Sequence, residues 1–63
     1  MNHYRFGYID YEHGWTRVYE FDAPNVNTAF YYFGKEMERR HGVRPQDKIG
    51  LIEVLENGIS INW

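Results

Sequence analysis

Apolar residues along this 63-residue chain recur with two different periods, and the change of period marks its elements. From residue 25 to residue 41, Val26, Ala29, Phe30, Phe33 and Met37 repeat at spacings of three and four. That places them on one face of an α-helix. Asn25 is positioned as its N-cap, directly after Pro24. Gly42 follows the last turn, with Arg39, Arg40 and His41 at the negative end of the helix dipole and Pro45 just beyond. Val43 is placed to make the apolar contact that accompanies a glycine C-cap. Tyr31 points away from the stripe and Tyr32 lies beside it.

On either side of this helix the period is two. Residues 4–22 read as a β-hairpin. A two-residue turn at His13-Gly14 pairs Trp15 with Glu12, Thr16 with Tyr11, Arg17 with Asp10, Val18 with Ile9, Tyr19 with Tyr8, Phe21 with Phe6 and Asp22 with Arg5. Aromatic then meets aromatic and cation meets anion. A longer loop over residues 11–14 is the other turn these residues allow. The second hairpin turns at Asn57-Gly58, the strongest short hairpin signal. It pairs Glu56 with Ile59, Leu55 with Ser60, Val54 with Ile61, Glu53 with Asn62 and Ile52 with Trp63.

Combined, the hairpins have one strongly apolar face: Tyr4, Phe6, Tyr8, Tyr19, Phe21, Ile52, Val54, Ile59, Ile61 and Trp63. The opposite face carries Arg5, Gly7, Ile9, Tyr11, Thr16, Val18, Glu20, Leu51, Glu53, Leu55, Ser60 and Asn62. An isolated amphipathic helix is unstable in water, so it must cover the apolar face. The expected fold is α+β, of the form ββαββ, with a four-stranded antiparallel sheet and one helix packed on one face. Strand order 2-1-3-4 would make every neighbour antiparallel, but the sequence alone does not fix the order.

Composition changes the picture in two ways. A chain this short sits near the lower size limit for folding without staples, and it has no Cys. Six Tyr, four Phe and two Trp compensate, since each aromatic can bury roughly 150–250 Å². One compact domain, residues 1–63, is expected. No apolar run reaches the roughly 20 residues of a membrane span, and no signal peptide is visible, so a cytoplasmic protein without membrane association is the default. The net charge of −2 is unevenly spread. Lys35, Arg39, Arg40, Arg44 and Lys48 form a basic corner near the end of the helix.

Candidate chemistry is sparse. Ser60 is the lone Ser and lies in a strand, so no Ser–His or Cys–His nucleophile pair presents itself. His3, His13 and His41 have no metal-ligand spacing. Catalysis would require His13 with Glu12 or Asp10 to line a real pocket; the expectation is no enzyme, no metal, no cofactor and no small-molecule substrate. The segment Arg5-Phe6-Gly7-Tyr8-Ile9-Asp10-Tyr11 resembles the aromatic signature strand of RNA-recognition motifs and cold-shock domains, which implies base stacking by its aromatics. The match lacks one Gly, stands in the first strand, and directs Phe6 and Tyr8 to the core face.

The preferred expectation is a protein-binding or regulatory module. Ile9, Tyr11, Val18, Leu51 and Leu55 on the outer sheet face form its docking patch, for a partner protein or for a second copy. Small Cys-free chains of this kind suit an accessory protein of a phage or mobile element acting on a host protein. The alternative is RNA or DNA binding through Lys35, Arg39, Arg40, Arg44 and Lys48.

Overall fold

In a computed structural model, described for residues 1–62, the chain forms β1 (Asn2–Asp10), β2 (Trp15–Ala23), α1 (Val26–His41), a short 3-10 turn (Pro45–Asp47), β3 (Ile49–Glu56) and β4 (Ile59–Ile61). All neighbours are antiparallel, in the order β2-β1-β3-β4. The expected ββαββ architecture stands, and the strand order, which the sequence left open, is the one in which every neighbour is antiparallel. The expected Ile52–Trp63 pair and the placing of Trp63 on the core face lie outside the described residues.

The helix forms as its caps dictate. The Asn25 side chain accepts the Thr28 N–H at 2.9 Å, and the Gly42 N–H donates to the Glu38 carbonyl at 2.8 Å. Val43 is 86% exposed, so it makes no capping contact; Gly42, at φ 93°, ends the helix without it. Ala29, Phe33 and Met37 are buried, and Val26 and Phe30 pack at the margin of the core. The helix lies over β1 and β2, where Phe6 is the hub of an aromatic cluster. Its ring stacks on Phe33 at 4.5 Å and on Phe21 at 5.6 Å, and meets Phe30 edge-on at 5.1 Å. Such ring pairs add about 0.5–1.5 kcal/mol each beyond area burial. Two buried Tyr keep their hydroxyls satisfied. Tyr4 donates to Glu56, and Tyr8 accepts from Arg40.

The second hairpin turns at Asn57-Gly58 in the expected register. Both residues have positive φ, 51° and 84°, which Asn and Gly tolerate best. Asn57 also ties this turn to β1: it exchanges hydrogen bonds with the His3 backbone in both directions.

The first hairpin differs from expectation. Its register is Asp10 with Trp15, Tyr8 with Arg17, Phe6 with Tyr19 and Tyr4 with Phe21, two residues away from a turn at His13-Gly14. The cause is Asp10. Its Oδ1 accepts the N–H groups of Glu12 and His13 at 3.0 and 3.2 Å, which makes the chain turn from Tyr11 onward. The loop therefore spans residues 11–14. A shift of two leaves every side chain on its expected face.

A shift of one does not, and β3 contains one. Gly7 pairs with Glu53 and Tyr8 with Leu51, so Ile52 is an extra residue in a β-bulge. Beyond the bulge the phase inverts. Ile49 and Leu51 pack against the core, whereas Ile52 is half exposed. This corrects the assignment of Leu51 to the outer face and of Ile52 to the core.

Candidate functional site

β2 is the long open edge of the sheet. It is nine residues long and pairs on one side only, whereas β4, the other edge, has three residues. Trp15, Arg17, Tyr19 and Phe21 alternate along its helix-facing side, as period two requires. They form a continuous ladder of rings and cations. The Arg17 guanidinium lies over the Trp15 ring at 4.7 Å, and that ring also stacks on His13 at 4.8 Å. Arg40 reaches from the helix to the face of Tyr19 at 5.2 Å. Tyr19 and Phe21 are 5.1 Å apart, and Phe21 meets Tyr32 of the helix at 6.2 Å. The result is a seam between an unpaired strand edge and the helix flank. Trp15 and Tyr32 are each about half exposed on it.

At the Trp15 end, the seam opens into a cleft of about 300 Å³ lined by Tyr8, Asp10, His13, Arg17, Arg40 and His41. Its floor is polar but satisfied. Asp10 is buried; besides its two backbone bonds it accepts His13 Nδ1 at 2.9 Å and has Arg17 Nε 3.6 Å away. The His13 bond, helped by the loop N–H groups, holds the Asp10 carboxyl below the usual carboxylate range despite burial. A lowered folded pKa stabilises the fold above the unfolded carboxylate value. That stability is lost as the pH falls through the lowered one. Asp10→Asn is therefore expected to flatten the acid limb of a urea-midpoint profile below about pH 4, as well as to loosen the loop.

Glu12, at the rim, accepts His41 Nδ1 at 3.0 Å and Lys48 Nζ at 3.4 Å, and its pKa is lowered by these partners, His41 first. Donor atoms of Asp10, Glu12 and His41 lie within 4.8 Å of one another. A metal ion there would have to displace both Lys48 and the donors on Asp10. The condition set by the sequence for catalysis, His13 and Asp10 together in a pocket, is met geometrically. Yet the Asp10 carboxylate is committed to the loop, and no Ser, Thr or Cys lines the cleft.

The outer-face patch is only partly assembled. Ile9 and Tyr11 meet over Gly50, so tightly that a Cβ at Gly50 would collide with the Tyr11 hydroxyl. Val18, opposite Gly7, is 45% exposed nearby. Leu55 stands apart, opposite Arg5, and the Glu53 side chain lies over Gly7 between the two groups. Leu51 faces the core. The basic corner is also altered, because each of its cations has a carboxylate partner. Lys35 pairs with Glu38, Arg39 and Arg40 share Glu36, Arg44 pairs with Asp47 and Lys48 with Glu12.

Sequence reasoning missed Trp15, Arg17, Tyr19, Phe21 and Tyr32 as a surface. The alternation along residues 15–21 was the available signal, once β2 is placed at the edge. No family model, curated protein or solved structure matches this chain, so function is read from this geometry alone.

Proposed function

We propose that this protein is a non-enzymatic protein-binding module that captures an extended segment of a partner protein on the open edge of β2. The observation that carries this reading is the nine-residue edge with the aromatic–cation ladder beside it. An unpaired strand edge offers backbone donors and acceptors that an added strand satisfies, while side-chain sites beside it supply selectivity. Tyr, Trp and Arg are the residues that most often dominate such contacts. With Arg17, Arg39 and Arg40 against Asp10 and Glu36, the seam keeps one net positive charge and suits a segment bearing acidic and apolar residues in alternation. This moves the expected docking site from the outer face to the edge. Nucleic acid is the weaker partner, since the five corner cations are already paired and the net charge is −2.

The test uses peptides selected from a displayed random-peptide library. Tyr32→Ala, at a half-exposed position, should weaken the selected peptides by roughly tenfold, as loss of an aromatic anchor worth ~1–2 kcal/mol implies. Leu55→Lys, on the outer face, should leave affinity within twofold. Failure to select any peptide, or sensitivity to Leu55→Lys without sensitivity to Tyr32→Ala, would overturn the edge assignment.

A further inference from the structure

The cleft at the Trp15 end of the seam is chemically one-sided. Its one carboxylate, Asp10, already accepts from two loop N–H groups and from His13, with Arg17 Nε close by. The Tyr8 hydroxyl accepts from Arg40 Nη1. What remains toward the space includes the free guanidinium donors. Among the described residues, neither the terminal nitrogens of Arg17 nor Nη2 of Arg40, which can only donate, make a hydrogen bond. Both guanidinium groups are also held in place. Arg17 lies on Trp15, while Arg40 is fixed by Glu36 at 2.6 Å, by Tyr8 at 3.1 Å and by the Tyr19 ring. Donors fixed in advance lose little freedom on binding.

We infer that this cleft is a carboxylate-binding site, filled by an acidic side chain or free C-terminus of the docked segment. The source of that carboxylate rests on the edge-docking reading; the site itself does not. Its two planar guanidinium groups match the two oxygens of a carboxylate, each able to bond one or both. The cleft is contiguous with the seam through Arg17 and Arg40, so a strand added along β2 would deliver its end or its next side chain there.

The protein is titrated with succinate, and separately with inorganic phosphate, at constant ionic strength, while the Arg Nε–Hε and His ring signals are followed by NMR. Succinate should shift Arg17, Arg40 and His13 along one saturable curve. Arg17→Gln should weaken it at least tenfold, whereas Arg44→Gln, the same charge change at an exposed pair away from the cleft, should leave it unchanged. Unsaturable shifts equal in wild type and Arg17→Gln would overturn the site. Tighter binding of phosphate than of succinate would overturn the choice of carboxylate. In the second arm, peptides selected on the wild type should carry Asp, Glu or a free C-terminus at one fixed position and lose at least tenfold in affinity on Arg17→Gln. Succinate binding without any selectable peptide would support the cleft while rejecting edge docking. Peptide docking indifferent to Arg17→Gln would reject the cleft's role and leave edge docking intact.

Discussion

Phe33→Ala is expected to cost about 3–5 kcal/mol of stability, enough to leave a domain of this size largely unfolded at room temperature. Phe33 is 7% exposed in the middle of the helix, between Ala29 and Met37. Its ring stacks on Phe6 and meets Tyr8 edge-on at 5.5 Å, so its removal opens a cavity where helix and sheet join. Tyr31→Ala is the matched control. Tyr31 is 61% exposed, touched by the Lys35 ammonium at 5.6 Å and by Tyr32 at 6.2 Å, and its loss should cost less than about 1 kcal/mol. Urea denaturation of both variants decides the matter. If Tyr31→Ala were the more damaging change, the helix would be rotated from the phase described.

The second large effect tests the bulge. Leu51→Lys should destabilise by about 2–5 kcal/mol, because a side chain packed against the core cluster is replaced by one carrying a charge. Leu55→Lys should cost about 1 kcal/mol or less, because Leu55 lies on the opposite face with its charge free to reach water. The two residues are four apart in one strand, so an unbroken alternation would put them on the same face and give them similar costs. Similar urea midpoints for the two variants would remove the bulge. A large difference with Leu51 the worse places it between Gly7 and Tyr8 on the β1 side.

These two substitutions also show where the sequence speaks and where it is silent. Helix phase is legible because Val26, Ala29, Phe30, Phe33 and Met37 satisfy only one period, and Asn25 and Gly42 mark its ends. The Asn57-Gly58 turn is legible because its positive φ angles restrict the residue choice. The bulge is not legible. Leu51 and Ile52 are both aliphatic, so Ile49–Glu56 reads equally well in either phase, and only pairing with β1 selects one. The first hairpin's register depends on Asp10 capping two N–H groups of its own loop, a short-range bond that leaves no mark on hydrophobic alternation.

The proposed docking surface follows the same logic. Lys35, Arg39, Arg40, Arg44 and Lys48 are a basic cluster in sequence. Folding brings Glu12 from a distant loop to Lys48 and His41, and the helix itself supplies Glu36 and Glu38. Conversely, Trp15, Arg17, Tyr19 and Phe21 look like one more core-facing strand. Only the strand order reveals that they flank an open edge, with Tyr32 and Arg40 arriving from the helix.

The most direct test of edge docking is amide hydrogen exchange along β2, residue by residue, with and without a selected peptide. An added strand bonds the outward-facing amides, so every second residue of β2 should slow markedly in the complex while β4 amides are unchanged. Slowed exchange confined to β4, or no change at β2 under saturating peptide, would contradict the account.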